Sequence, residues 1–211
     1  RCRGFLVGAT AGRTTLAGEG LQHQDGHSHV LALPVPNLLT YDPAFAYELA
    51  VIIRDGIRRM MSEQEDIFYY LTVGNENYAM QPMPGGEGVR EGILRGLYRV
   101  KPSTLPDAPR RAQLFGSGSI LNEALKAQRI LEERYDVGTD VWSVTSYKDL
   151  RRDALEAERW NLLHPSQDPR IPYLAQTLQG APRVFVAASD YLRALPDLVS
   201  RWSPKPIHAL G

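Results

Sequence analysis

The chain has 211 residues, 24 Lys and Arg against 24 Asp and Glu, and a hydrophobic fraction of 43%, which is ordinary for a soluble globular protein. Zero net charge argues against a protein that wraps nucleic acid, and no apolar run approaches the roughly 18–20 residues that span a bilayer. The single cysteine, Cys2, excludes an internal disulfide and any multi-cysteine zinc site, and it favours a reducing compartment such as the cytoplasm.

Short apolar runs alternate with longer segments of helical periodicity, and this alternation predicts an α/β fold. The strands predicted in the first part of the chain are residues 4–10, 37–41 and 67–73. A polar loop rich in Gly and His is predicted at 11–29, directly after the first of these strands. Asp42 and Pro43 predict the N-cap and first residue of a helix, because apolar residues recur at helical spacing over 45–60.

Residues 81–88 hold two prolines and three glycines, so they are the predicted boundary between domains at 1–84 and 85–211. A loop is predicted at 101–109, which has three prolines. The strands predicted beyond it are 112–115, 140–144 and 184–187, and the helices are 120–135, 147–160 and 191–202. The last residues, 206–211, have the pattern of a strand that is just beginning. Neither end has the features of a natural terminus, which predicts an internal piece of a longer protein.

The densest group of titratable side chains lies in the first loop. Three of the five histidines, His23, His27 and His29, fall within seven residues, beside Glu19 and Asp25. They could form a zinc site, although the order HxxxHxH matches no common zinc pattern. They could instead hydrogen-bond the backbone of an ordered loop. In a third interpretation the loop belongs to an active site, where a histidine donates or accepts a proton.

Two other motifs have weaker functional interpretations. Gly116-Ser117-Gly118-Ser119 lies between a predicted strand and helix, where a tight turn is favoured over a phosphate-binding loop because the full GxGxxG is missing. Residues 75–78 (NENY) follow a predicted strand, where they form either a ligand-binding edge or an Asn-capped turn. No GxSxG elbow is present, which argues against a serine hydrolase.

The stretch GRTTLAGEGLQHQDGHSH, from Gly12 to His29, is more specific than these patterns. It closely resembles the homodimeric, bacterial type of pyruvate dehydrogenase E1 component, a thiamine-diphosphate enzyme of the transketolase superfamily. The resemblance continues in collinear order through PNLLTYDPAFAYELAVIIRDGIRRM (36–60), NENYAMQPMP (75–84), GSGSIL (116–121), DVWSVTSY (140–147) and ERWNLLHP (158–165). It therefore covers essentially the whole chain.

The resemblance implies that 1–84 is the second half of a thiamine-diphosphate pyrimidine-binding domain. Residues 85–211 then form a transketolase C-terminal-like α/β domain that is incomplete at its end. The family is several times longer, and thiamine diphosphate and Mg²⁺ are bound mainly by segments outside this chain. The implied parent decarboxylates pyruvate oxidatively and passes the acetyl unit to the lipoyl group of E2, which connects glycolysis with acetyl-CoA synthesis. The piece alone is expected to be inactive.

One family active-site residue maps onto this chain: His23 matches the histidine that faces substrate. Gln22 and Asp25 are predicted to bind substrate or to support that contact, and His27 and His29 are predicted to order the loop. No metal ligand is predicted. The implied partners are a second copy of the chain, the dihydrolipoyl acetyltransferase (E2) core and pyruvate, with no nucleic acid and no membrane, in the cytoplasm. Alternatives are another 2-oxo acid dehydrogenase or transketolase-like enzyme, or a non-catalytic truncated paralogue that acts as a dimerisation module.

Overall fold

The computed structural model describes residues 2–9, 12–16, 20–182 and 184–211. In these ranges the strands are β1 (Phe5–Gly8), β2 (Leu38–Tyr41), β3 (Phe68–Thr72), β4 (Tyr98–Lys101), β5 (Arg110–Gly116), β6 (Val137–Ser143), β7 (Phe185–Ala188) and β8 (Ile207–Leu210). The α-helices are α1 (Ser28–Leu31), α2 (Ala46–Ile57), α3 (Val89–Arg95), α4 (Ile120–Tyr135), α5 (Tyr147–Leu163), α6 (Tyr173–Thr177) and α7 (Ala194–Asp197). Short 3₁₀ turns lie at Leu21–His23 and Ser200–Trp202, and a π-helical turn lies at Arg58–Ser62.

The strands form two sheets. The first is fully parallel, in the order β1-β3-β2, with Phe5 opposite Tyr69 and Leu39 opposite the same residue on the other side. The second has the order β4-β6-β5-β7-β8 and is parallel except for β4, which pairs antiparallel with β6. The predicted α/β class is confirmed. In the described part of the chain, no helix combines the length and apolar character needed to cross a membrane.

Each sheet has its own apolar core, and a third cluster joins the two units. Ile52 of α2 and Met60 are fully buried against the first sheet. Phe115 packs against Phe185, with ring centroids 5.7 Å apart, in the core of the second sheet. The joining cluster is made by Ala44, Phe45, Leu114, Leu121, Ala124 and Val141. Because this cluster draws on both units, the carboxyl ends of the first sheet are packed against the second unit.

The start of α2 differs from the prediction, which placed Asp42 at the N-cap. The helix begins at Ala46, and the carboxylate of Glu48 accepts hydrogen bonds from the backbone N–H groups of Ala44 and Phe45. Glu48 therefore accepts the hydrogen bonds from the backbone N–H groups at the start of the helix, a role that the prediction gave to the Asp42 side chain. The Asp42 carboxylate instead accepts a hydrogen bond from a different part of the chain, described below.

The C-terminal part also contains differences. The predicted helix at 191–202 is wrong as a single element: α7 covers only four residues, and Pro196 within it has no backbone N–H to donate. Strand β4, which includes Lys101, and helices α3 and α6 were not predicted. Helix α4 has the predicted bounds, and the strand expected at 206–211 is β8.

Two predictions about the first unit and its boundary are only partly covered. The predicted strand at 4–10 is β1, but Thr10 lies outside the described residues, as do residues 11 and 17–19 of the predicted loop. The loop ends earlier than predicted because α1 begins at Ser28. Residues 75–88 contain no helix or strand, and α3 beyond them places Ile93 in the core of the first sheet. The domain boundary within 81–88 stays a prediction.

Candidate functional site

The loop that carries the predicted catalytic histidine follows β1 at the carboxyl end of the first parallel sheet. His23 ends the 3₁₀ turn at Leu21–His23, and its backbone N–H donates to the carbonyl of Gly20 at 3.1 Å. The side chains of His23 and Gln22 are both exposed. Carboxyl ends of parallel strands are where open α/β sheets place ligands. The imidazole of His23 is therefore accessible to solvent and lies at the carboxyl end of the sheet, where ligands bind in this class of fold.

Asp25 orders the chain immediately after this turn. Its Oδ1 accepts from the backbone N–H groups of His27 and Ser28, both at 3.0 Å, and its Oδ2 accepts from the Ser28 hydroxyl. Burial acts to raise the pKa of Asp25, but these hydrogen bonds outweigh it and hold the pKa below its ordinary value. Asp25 is thus an ionised carboxylate that caps α1. Its predicted contact with substrate stays a prediction.

His29 is buried, in contrast to the exposed His27 and His23. Its Nε2 is 2.9 Å from the Thr72 hydroxyl, and its ring lies 4.7 Å from the ring of Tyr191 in an edge-on arrangement. Burial lowers the pKa of His29 to about 4, so the imidazole is neutral near pH 7. Among the described residues, no group of three or more His, Cys, Asp or Glu is placed to hold a metal ion.

Thr72 connects His29 to the half-buried carboxyl group of Asp42. The Thr72 hydroxyl donates to Oδ1 of Asp42 at 2.7 Å. With that proton committed, Thr72 accepts at its oxygen, so we assign Nε2 of His29 as protonated and donating. The result is a directed chain of hydrogen bonds from His29 through Thr72 to Asp42, at the ends of β2 and β3.

Asp42 also joins the two units through its backbone. Its N–H donates to the carbonyl of Thr145 at 2.8 Å, and its carbonyl accepts from the N–H of Gly118 at 3.0 Å. Burial raises the pKa of Asp42 to about 7, and the nearby carboxylates of Asp190 and Glu48 act in the same direction. A substantial fraction of this side chain is therefore protonated at neutral pH.

The turn at 116–119 is the tight connection predicted between strand and helix. Gly118 has a φ of +50°, and a Cβ there would lie 2.7 Å from the carboxylate oxygens of Asp42. In the described ranges, the buried hydroxyl of Tyr147, near Asp42, has no hydrogen-bond partner. Such groups in a polar interior are normally satisfied by ordered water.

Glu48 is a fully buried carboxyl group at the junction, with no exposed surface. Besides the two N–H groups at the start of α2, it accepts from the hydroxyls of Tyr98 at 2.5 Å and Ser143 at 2.6 Å. Burial raises its pKa although these hydrogen bonds favour the ionised form. Glu48 thus holds the first turn of α2 to β4 and β6.

Comparison with known proteins adds to this geometry. The family model for the pyruvate dehydrogenase E1 component middle domain matches residues 1–81, and that for the transketolase-like TK C-terminal domain matches 96–208. The pyruvate dehydrogenase E1 component of Pseudomonas aeruginosa is 51% identical over 212 residues, covering 100% of this chain and 24% of the relative. The chain belongs to the transketolase-like family, and its residues 1–81 are similar to the middle domain of pyruvate dehydrogenase E1 components. The family resemblance of the segments from Gly12 onward is thereby confirmed.

Two other relatives have similar sequence identity to this chain and similar coverage. The E1 component of Escherichia coli K12 is 51% identical over 205 residues, covering 97% of this chain and 22% of that protein. That of Cupriavidus necator is 46% identical, covering 100% and 23%. The chain therefore spans about a quarter of the length of the relatives it matches.

Solved structures establish the fold. A transketolase from Pichia stipitis superposes with a TM-score of 0.63 at 15% identity, covering 98% of this chain and 25% of that one. A transketolase from Campylobacter jejuni gives a TM-score of 0.61 at 17% identity, covering 98% and 27%. The predicted transketolase-like α/β fold agrees with these superpositions.

Sequence reasoning named the accessible part of the site and missed the buried part. Asp42 was interpreted as a helix cap, and Thr72 was not considered. The only local signal for the network was a polar residue at the end of each of two strands, β2 and β3. That signal is weak by itself, because it does not indicate which end of which sheet meets the second unit.

Proposed function

We propose that this chain is part of a pyruvate dehydrogenase E1 component that carries out thiamine-diphosphate-dependent oxidative decarboxylation of pyruvate. The acetyl unit then passes to the lipoyl group of the dihydrolipoyl acetyltransferase (E2). The observation that carries the proposal is identity near 50%, over the whole chain, to proteins named as pyruvate dehydrogenase E1 components. Because the chain is about a quarter of such a protein, the activity is proposed for the full-length protein.

His23 is the residue proposed to act on substrate. Its imidazole is exposed at the carboxyl end of the parallel sheet, so it can reach a bound oxo acid. In this role it hydrogen-bonds the oxygen of the reacting carbonyl group, or moves a proton there, as negative charge develops on that oxygen. His29 does not suit this role, since it is buried and donates to Thr72. Gln22, exposed beside His23, is proposed to support substrate binding.

Thiamine diphosphate, when bound, supplies the electron sink for decarboxylation. We propose that its diphosphate and Mg²⁺ are bound mainly by segments outside this chain. In the described part of the chain, the carboxylates of Asp42 and Glu48 already accept hydrogen bonds from Thr72 and Tyr98. Isolated, the chain is expected to be inactive.

The assembly proposed for the full-length protein is a cytoplasmic homodimer bound to the E2 core. A split-gene transketolase described as an inactive β4 tetramer shares the fold, with a TM-score of 0.56 at 18% identity, and this chain covers 56% of it. That likeness concerns the fold alone. The proposal of a dimer is tested by the mass of the full-length protein in solution, and a monomer would contradict it.

The test of function is pyruvate-dependent reduction of an artificial electron acceptor by the full-length protein, with and without thiamine diphosphate. His23→Ala is compared with the wild type and with His27→Ala, whose exposed side chain lies on the same loop. We expect cofactor-dependent turnover that falls at least about tenfold in His23→Ala, a barrier change of about 1.4 kcal/mol, and that changes less than about twofold in His27→Ala.

Each other outcome has a distinct meaning. Turnover unaffected by His23→Ala would keep the reaction and remove the role of His23. Turnover with a different 2-oxo acid, or with a sugar phosphate, would favour the related dehydrogenase or transketolase-like activity. No turnover with any of these substrates would favour a non-catalytic dimerisation module.

A further inference from the structure

Asp190, at the carboxyl end of β7 in the second unit, holds the loop that carries His23. Its carboxylate accepts from the backbone N–H of Thr14 at 3.2–3.3 Å and from the Thr14 hydroxyl. Ser119, on the turn before α4, donates to the same carboxylate at 3.2 Å. Asp190 is only 8% exposed. One carboxylate thus fastens a residue 176 positions earlier in the chain to the second unit.

The backbone around Asp190 adds two further attachments. The Asp190 carbonyl accepts from Nε of Arg13 at 2.8 Å. The N–H of Leu192 donates to the carbonyl of Gly26 at 3.0 Å, and the N–H of Asp25 donates to the carbonyl of Gly12 at 3.1 Å. The loop is therefore held at both of its ends by one short segment, and its ends are hydrogen-bonded to each other.

The packing of Asp190 against the loop is close. Gly12 has a φ of +83°, and a Cβ there would lie 2.6 Å from Oδ2 of Asp190 and 3.2 Å from its Cβ. A side chain at position 12 would therefore collide with the carboxylate, and only glycine combines that backbone conformation with this contact. This close contact with Gly12 restricts the position of the Asp190 carboxylate.

These attachments lie close in sequence to His23. The hydrogen bond to Gly12 is made two residues after His23, and the bond to Leu192 three residues after it. A short turn anchored this near offers few alternative positions for the backbone that carries the imidazole. Catalytic groups must be held within a fraction of an ångström of their productive position. The hydrogen bonds made by the Asp190 segment therefore affect the chemistry of His23, although Asp190 is far from it in sequence.

We propose that Asp190 is a positioning residue that sets the place of His23 through Thr14 and Gly12. This inference rests on the proposed function, in which His23 acts on the oxo acid. It states that the second unit is required for the geometry of the histidine loop, and not only for the stability of the fold. Asp190 itself touches no reacting atom in this role.

The test compares four variants of the full-length protein. Asp190→Ala removes the acceptor, and Thr14→Val removes the hydroxyl donor while Thr14→Ser keeps it. Asp140→Asn is the matched control. Asp140 is a buried carboxylate of the same unit, and it accepts hydrogen bonds from Ser103 and Gln113 rather than from the loop that carries His23. Each variant is measured for kcat and KM with pyruvate, and for amide hydrogen exchange in peptides covering 12–16 and 20–29.

We expect kcat to fall about tenfold in Asp190→Ala and severalfold in Thr14→Val, and to stay within about twofold of the wild type in Thr14→Ser and Asp140→Asn. KM should change little. Exchange in the loop peptides should rise in the first two variants only. In the His23→Ala background, Asp190→Ala should lower kcat by less than about twofold further, because the two residues act through the same side chain.

Several results would overturn the inference. Faster exchange with unchanged kcat would mean that Asp190 fastens the loop without positioning His23. Equal losses in Thr14→Ser and Thr14→Val, or a full additional loss in the His23→Ala background, would assign the effect to general destabilisation. Absence of pyruvate turnover would remove the proposed function together with this inference. Turnover unaffected by His23→Ala would keep the reaction but remove the role of His23 and this inference with it, and the exchange data would then show that the anchor serves structure alone.

Discussion

Ionisation of Asp42 should make the folded chain less stable as the pH rises. Burial raises its pKa from 3.8 to about 7. A carboxyl group that binds its proton more tightly in the folded state contributes stability below its unfolded pKa, and that stability is lost as the pH rises through the folded pKa. The full shift corresponds to about 4 kcal/mol, of which about 2.5 kcal/mol falls between pH 5 and pH 8.

Asp42→Asn removes the ionisation and keeps the size of the side chain and an oxygen that accepts from Thr72. We expect the free energy of unfolding of the variant, relative to the wild type, to increase by about 2.5 kcal/mol between pH 5 and pH 8. Urea unfolding of the 211-residue chain at several pH values measures this difference. Asp168→Asn, at an exposed position, controls for the loss of one negative charge.

The reasoning would be refuted if the difference between the wild type and Asp42→Asn stayed constant within about 0.5 kcal/mol over this range. That result would mean that Asp42 ionises in the folded chain as readily as in the unfolded chain. The part of the difference that does not vary with pH reports only how well the amide fits the site, so the prediction concerns the pH-dependent part alone.

Other predictions concern the same junction and are checked by urea unfolding. Glu48→Ala should lower the free energy of unfolding by about 3–5 kcal/mol, because four buried donors lose their acceptor. Ser143→Ala removes only one of these donors and should lower it by about 1 kcal/mol. Equal effects of the two substitutions would contradict this prediction. The pKa of His29 lies at about 4, so stability should fall by up to about 3 kcal/mol as the pH drops from 6.5 to 4, and His29→Gln should flatten that part of the profile. Gly118→Ala should destabilise by more than about 1 kcal/mol, because φ is +50° and the added Cβ meets a carboxylate, whereas Gly85→Ala, with open space around it, should be near neutral.

The regular elements that were predictable are those whose local pattern agrees with their final environment. Helix α4 was predicted with its observed bounds, because its apolar positions recur at helical spacing. In the structure Asp136 ends it in the left-handed conformation. Strand β4 was missed because Tyr-Arg-Val-Lys is short and alternates between apolar and charged residues, which is also common in loops. It forms only because β6 offers an open edge for it.

The misassigned start of α2 shows where local reasoning ends. Asp followed by Pro is a good helix-start signal, and nothing near it in sequence argues otherwise. The competing partners of Asp42 are Thr72, Gly118 and Thr145, which lie 30 to 103 residues away. A side chain that can cap a helix can equally accept a distant hydroxyl, and only the packed structure decides between them.

The candidate site divides in the same way. The importance of His23 came from family resemblance, since a histidine in a polar loop has several equally reasonable interpretations. Its exposure agrees with the assigned role, while the burial of His29 separates two histidines that the sequence pattern treated alike. The residues that hold the loop in place could not be found from the pattern, because Asp190 is far away in sequence and lies in the other unit.

The junction between the units is the feature that connects fold to chemistry. Three carboxyl groups meet there: Glu48 holds the start of α2, Asp42 the ends of the first sheet, and Asp190 the histidine loop. Each accepts hydrogen bonds from residues that only the folded chain brings together, and the apolar cluster around Phe45 limits the water that could replace them. Separating the units would therefore release the loop as well as the interface. It follows that the geometry of His23 depends on how the second unit docks, although the second unit contributes no side chain to the proposed reaction.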